Sequence, residues 1–214
     1  MFSFKILKES KRSRARLGVI TTPPGEIETP AFVPVATRAT VRTLESKDIE
    51  STGSQVLICN TYHLALAPGE KIIKKMGGLH EFMQWKKPLM TDSGGFQVYS
   101  LGFGSDHGIG KMLNGPTGET IDTHAQPKSV KITDDGVHFR SPIDGKEHYL
   151  SPKTSIRIQE ALGADIMFAF DECVSPVATY DYMRASLEKT HRWAKECLDA
   201  KKTEFLSIAS HHLR

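Results

Sequence analysis

Four short apolar runs, each followed by a helical pattern, constrain this chain more than any other feature. Ala31-Phe32-Val33-Pro34-Val35, Gln55-Val56-Leu57-Ile58-Cys59, Leu89-Met90-Thr91 and Asp165-Ile166-Met167-Phe168-Ala169-Phe170 read as strands. The second and fourth are nearly continuous in apolar residues, as strands covered on both faces must be. Helical patterns follow: Leu44 to Ser51 stopped by Gly53, Glu70 to Met76 stopped by Gly77-Gly78, and Tyr180 to Ala200. Ser151-Pro152 opens a further helix through Ala161, with Ser151 as cap, Pro152 in the first turn and Gly163 at its end. Strands alternating with helices imply a parallel sheet.

Polar residues gather just past the strand ends: Asn60, Asp92 and Asp171. Open α/β sheets and β/α barrels both take ligands at the C-terminal ends of their strands. No Gly-x-Gly-x-x-Gly follows a strand, which argues against a dinucleotide site and favours a barrel. Residues 1–30 hold short alternating segments broken by Thr22-Pro23-Pro24-Gly25, the pattern of a small antiparallel unit. Residues 101–150 form an insertion rich in Gly, Pro, Asp and His. Its second half alternates at Val130, Ile132, Val137, Phe139, His148 and Tyr149 and reads as a β-ribbon. Gly104 to Lys111 imitates a phosphate loop, but its spacing is wrong and Met112 replaces the required Ser or Thr. In the last long helix, Met183, Leu187, Trp193, Ala194 and Cys197 are expected on or near the packed face.

With 214 residues the chain can bury one substantial core, and it is read as a single, incomplete domain. Its formal net charge of +3 is no global polycationic signal. Lys5, Lys8, Lys11, Arg12, Arg14 and Arg16 cluster near the start; such a run is either a solvated face or a phosphate-contacting patch. No window holds the ~18 apolar residues of a membrane span. The three cysteines, Cys59, Cys173 and Cys197, are widely spaced, so neither a disulfide framework nor a Cys-x-x-Cys metal site is expected. The expectation is a reduced, cytoplasmic protein with no membrane partner.

The octet Thr91-Asp92-Ser93-Gly94-Gly95-Phe96-Gln97-Val98 carries the chemistry. It joins an acid, a hydroxyl, two glycines that let backbone approach closely, and a ring that can stack. On its own Asp-Ser-Gly-Gly is equally a strand followed by a tight turn. The whole octet resembles the signature of the tRNA-guanine transglycosylases (queuine tRNA-ribosyltransferases), in their bacterial form. Asn60-Thr61-Tyr62-His63-Leu64 and Asp171-Glu172-Cys173 resemble further motifs of that family, as do Thr29-Pro-Ala-Phe-Val-Pro-Val, Gly77-Gly-Leu-His-Glu-Phe-Met and Arg140-Ser-Pro-Ile-Asp-Gly. The resemblance runs from about Arg12 to about Ala200.

The resemblance implies a TIM-type (β/α)8 barrel, here about its first half, and the exchange of guanine at the tRNA wobble position for 7-aminomethyl-7-deazaguanine in queuosine biosynthesis. It implies that Asp171 reads the two adjacent donors on the guanine edge. Asn60, Ser93, Gly94 and Gly95 would line the pocket, and Phe96 would stack on the base without the hydroxyl of the family's frequent Tyr. Asp92 would assist proton movement, and Cys173 would sit beside the 7-substituent. Each has a bland counterpart. Asp171 could cap a helix, Asn60 could satisfy a turn, His63 could be a packed polar residue, and the cysteines could be small buried groups. The family also implies tRNA and a deazaguanine base as partners, a homodimer, and a zinc site of three Cys and one His. No residue here matches the zinc ligands or the nucleophilic Asp, so no metal ligand is expected in this segment. Phe205 to Ser210 takes the place of a fifth strand but lacks the family's Gln-Gly ending. The expectation is therefore an N-terminal part, inactive as it stands. The alternatives are a noncatalytic tRNA- or partner-binding subunit of the same family, or an unrelated β/α hydrolase using Asp92 and Asp171 as a carboxylate pair.

Overall fold

A computed structural model describes residues 2–100, 130–174 and 178–201, and the backbone of 208–209. The phosphate-loop imitation at Gly104–Lys111 and most of the first half of the insertion lie outside the described residues. The chain divides into two compact units.

The first unit holds the residues up to Asp92, Ile158–Phe168 and the segment carrying the last strand. It opens with β1 (Ser3–Glu9), β2 (Arg16–Thr22) and β3 (Gly25–Thr29), an antiparallel sheet in chain order. The turn expected at Pro23-Pro24 joins β2 to β3. Every residue of β1 is exposed, and the basic cluster rides on that strand, the following turn and the start of β2. A parallel sheet follows, built from β4 (Val35–Ala36), β5 (Leu57–Cys59), β6 (Leu89–Thr91), β10 (Ile166–Phe168) and β11 (Ile208–Ala209). Its spatial order is β11-β10-β6-β5-β4, with parallel pairing throughout. The four expected strands are therefore adjacent in chain order, and a fifth, β11, falls within the Phe205 to Ser210 run. Ile27 of the antiparallel sheet packs with Val56 and Ile166, which stand at the starts of the parallel strands, and Ile20, Val33 and Met90 close over them. The opposite, C-terminal ends are left for polar residues.

The strands are shorter than the apolar runs. Residues 31–34 are not strand, although the Pro34 carbonyl accepts from Ile58 N at 3.1 Å, and β4 is only Val35–Ala36. Helix α1 (Ser46–Ser51) starts two residues later than the pattern suggested. Its N-cap is Glu45, whose backbone N–H is taken by the Asp48 carboxylate at 2.9 Å. Between β5 and β6 lie α2 (Thr61–Leu66), α3 (Glu70–Lys75) and α4 (Leu79–Met83); α2 and α4 had no clear sequence signal.

Two side chains splice β10 to β6. The Asp165 carboxylate accepts from Leu89 N at 2.8 Å and lies 3.0 Å from His80 Nε2. At the other end, buried Gln159 accepts from Thr91 Oγ1 (2.8 Å) and Phe168 N (3.1 Å) and donates to the Phe168 carbonyl (3.0 Å). His80 Nδ1 sits 2.8 Å from the Trp85 carbonyl, so the ring faces acceptors on both sides. A neutral imidazole can donate only once. Burial opposes its charge, but the Asp165 hydrogen bond, the Trp85 carbonyl and the charges of Asp165 and Glu81 outweigh that and raise the His80 pKa above its ordinary value.

The second unit contains Ser93–Arg157 and Ala169–Lys201. Residues 95–100 are helical and are labelled α5. The alternating half of the insertion is a three-stranded antiparallel sheet: β7 (Val130–Ile132), β8 (Val137–Arg140) and β9 (Glu147–Leu150). Ser151 caps α6 (Pro152–Leu162) as expected, its Oγ accepting from Thr154 N at 3.2 Å. Helix α7 (Tyr180–Ala200) has the bounds its periodicity gave, but its packed face is turned. Ser186, Thr190, Trp193 and Cys197 are buried, whereas Leu187 is 41% exposed. The expectation for Leu187 fails because two hydroxyls are needed inward, where they bond backbone at residue 172. Trp193 remains a core residue, 5.3 Å from the Phe170 ring and donating to the Asp134 carbonyl at 2.7 Å.

Candidate functional site

Asn60 and Asp92 follow β5 and β6 and meet at the start of α2. Asn60 is the N-cap: its Oδ1 accepts from His63 N at 3.0 Å. Its Nδ2 donates to Asp92 Oδ2 at 2.5 Å, and Thr61 N donates to Asp92 Oδ1 at 2.9 Å. The Thr61 hydroxyl donates to the Asp92 carbonyl. A helix start leaves its first N–H groups without intrahelical partners, and a carboxylate there also meets the positive end of the helix dipole. The role weighed for Asn60, satisfying local backbone groups, is thus what the geometry displays, here as a helix cap, and both Asp92 oxygens serve the same turn. Neighbouring Cys59 is buried; burial first, then the Asp92 charge, pushes its thiol up to about 12. His63 stands edge-on to Tyr62 at 5.3 Å, in keeping with a packed residue.

In the second unit a different arrangement begins one residue later. Ser93 Oγ donates to Asp171 Oδ1 at 3.1 Å and accepts from Gly95 N at 3.2 Å. The relay N–H to hydroxyl to carboxylate uses the single donor of Ser93 on the acid. Ser155 Oγ holds the Ser93 carbonyl at 2.7 Å. Gly94 takes φ +83°, which an L side chain resists. At Gly95 the constraint is space: a Cβ there would lie 2.7 Å from the Asp171 carbonyl oxygen and 3.3 Å from its Oδ1. The glycine pair is therefore required for the loop to lie against Asp171. Among the described residues, Asp171 Oδ2 has no hydrogen-bond partner, so one acceptor edge of this acid is uncommitted. Phe96, in the first turn of α5, is 57% exposed.

The residues after Asp171 are held firmly. Glu172, which no sequence motif singled out by itself, is buried and bonded to α7 through backbone and carboxylate. Burial, then the charges of Asp171 and Glu172, push the Cys173 thiol up to about 11. Cys173 thus offers a neutral, weakly polar S–H rather than a thiolate nucleophile. Among the described residues no group of three or more His, Cys, Asp or Glu side chains could hold a metal ion, so they do not make a zinc site. Nor is any described helix long and apolar enough to cross a membrane.

The parallel sheet of the first unit carries Asn60 and Asp92 just past the ends of β5 and β6, the end at which α/β proteins as a class take their ligands. Comparison with known proteins narrows the class. The family model described as queuine tRNA-ribosyltransferase matches residues 10–211. Proteins named queuine tRNA-ribosyltransferase from Roseiflexus sp. and Shouchella clausii are 48% and 47% identical over 92% of this chain, and one from Herpetosiphon aurantiacus is 46% identical over 94%. The chain belongs to the queuine tRNA-ribosyltransferase family. It spans about half the length of the curated relatives it matches, 45–48% of each of these three.

Proposed function

We propose that the protein carrying this chain is a tRNA-guanine transglycosylase, a pentosyltransferase that exchanges guanine at the tRNA wobble position for 7-aminomethyl-7-deazaguanine. The observation that supports it most is Asp171, buttressed on Oδ1 by Ser93 while its Oδ2 stays open. Guanine's pairing edge presents a ring N–H beside an exocyclic amine. A carboxylate with an uncommitted oxygen accepts from both, and no neutral side chain offers two acceptors in that geometry. Gly94 and Gly95 leave room for a flat ring, and exposed Phe96 supplies a stacking face. Asn60 and Asp92 fix the adjoining turn, with Asp92 the group for proton movement on the base. Cys173, as a neutral thiol, is assigned beside the 7-substituent and favours the small aminomethyl group over queuine.

Acting on a base within folded tRNA requires that the base be swung out of its stack. Attack at the ribose carbon is assigned to no residue of this chain, and no step is routed through zinc. The same reading extends the parallel sheet to a β/α barrel and places the protein in the cytoplasm as a homodimer acting on tRNA. The test is incorporation of labelled guanine into tRNA bearing guanine at the wobble position. Incorporation by the protein, abolished or sharply weakened in Asp171→Asn, supports the proposal. Tight tRNA binding without any incorporation would point instead to a noncatalytic subunit.

A further inference from the structure

Residues 171–174 have no regular secondary structure, so no ladder of backbone hydrogen bonds holds them. One residue in this segment is nevertheless fastened at four points. Glu172 N donates to Thr190 Oγ1 at 3.1 Å, and its carbonyl accepts from Ser186 Oγ at 3.4 Å. Its Oε1 accepts from Tyr182 O–H at 2.7 Å, and its Oε2 lies 3.2 Å from Lys189 Nζ. All four partners come from α7. Their positions, 182, 186, 189 and 190, form one stripe of a helix. Lys189 also lies 5.8 Å from the centre of the buried Trp193 ring.

The Glu172 side chain is 1% exposed and that of Lys189 19%, so the ion pair is largely desolvated. Such a pair stabilises a fold little better than apolar residues of similar size, and removing one partner is strongly destabilising. What it offers instead is direction. Three hydrogen bonds and one ion pair leave the peptide groups flanking Glu172 little freedom, and those groups carry Asp171 on one side and Cys173 on the other. Gly95 adds to the constraint, since the Asp171 carbonyl already sits where a Cβ would be.

We propose that Glu172 is a positioning residue for base recognition: tied to the Tyr182–Ser186–Lys189–Thr190 stripe of α7, it aims the Asp171 carboxylate. This rests on the reading of Asp171 as the group that meets the guanine edge. It assigns the α7 stripe a role in affinity for the base, separate from affinity for tRNA.

The test is steady-state guanine exchange by the full protein carrying this chain, comparing Glu172→Gln, Tyr182→Phe and Asp171→Asn with the parent. Glu172→Gln should raise KM for guanine about tenfold, and Tyr182→Phe, which loses one hydroxyl from a partly exposed ring, about threefold. KM for tRNA should stay unchanged in both. A merely structural staple would lower the folded fraction. That would reduce kcat and leave both KM values alone, and this result would overturn the proposal. If Glu172→Gln yields no folded protein, Tyr182→Phe decides by the same criterion. A guanine KM raised in Asp171→Asn but not in Tyr182→Phe would sink this inference alone. An unchanged guanine KM in Asp171→Asn would sink the base-edge reading and this inference with it.

Discussion

Asp92 and Ser93 are neighbours in the chain, yet the networks they enter differ in kind. Both Asp92 carboxylate oxygens accept hydrogen bonds, from Asn60 Nδ2 and Thr61 N, and both of these donors belong to the start of α2. Asp171, which Ser93 contacts, has a donor on one oxygen only among the described residues. The first arrangement closes a helix end. The second presents an acceptor. Two acids in equivalent places after apolar runs are thus distinguished by how many of their acceptor sites the protein itself uses.

The largest effect should come from attacking the closed network. Asp92→Asn keeps one acceptor but turns the other into an amine facing Asn60 Nδ2. Asn60 cannot flip to relieve the clash, because its Oδ1 is committed to His63 N. Loss of these bonds together with a helix cap should cost ~2–4 kcal/mol of stability, read by urea unfolding. Unfolding at the parent midpoint would break the contrast with Asp171.

Asp171→Asn should do the reverse. Its stability should change by less than ~1 kcal/mol, since Ser93 Oγ can still donate to an amide oxygen. Its affinity for guanine should fall by ~1–3 kcal/mol, because an amide donor would face a donor on the base. Gly95→Ala comes between the two networks in character. The added Cβ must displace the Asp171 backbone, costing ~1–3 kcal/mol in stability and weakening base binding with it. Wild-type base affinity in that variant would show that the glycine serves the turn alone.

The smallest effect concerns a third acid, Asp165, which stands at the start of β10. Its partner His80 has a raised pKa, so the protonated ring stabilises the fold fully below ~6.5 and that contribution is lost as pH rises through the folded value. The stability difference between the parent and His80→Gln should therefore shrink between about pH 6 and about pH 8. A difference independent of pH would mean that the ring acts through its neutral form.

Much of the framework was legible because it rests on local patterns. The strand order followed from apolar runs alternating with helices, and α7 appeared with its bounds because twenty-one residues carry a sustained period. Helix α2 did not, because its six residues are held by Asn60 and by Asp92, thirty-one positions from Thr61. The clamps of Gln159 on Thr91 and of Asp165 on Leu89 are equally remote in sequence, so no window contains both partners. At the candidate site, Asn60, Asp92, Ser93, the glycines and Asp171 were named from motifs. Glu172 was missed because a Glu beside an Asp reads as a solvated side chain; only its bonds to the α7 stripe reveal it. Ser186 and Thr190 could have signalled it, since two small hydroxyl residues four apart on an otherwise apolar face ask for a polar partner.

The most direct measurement is a crystal structure of the protein soaked with guanine. The base should lie with its ring N–H and exocyclic amine both within ~3.2 Å of the Asp171 carboxylate and one face against Phe96. Asp92 should still hold Asn60 and Thr61. A base bound with its pairing edge turned away from Asp171, or bound against Asp92 with the α2 cap broken, would contradict the division of labour between the two acids.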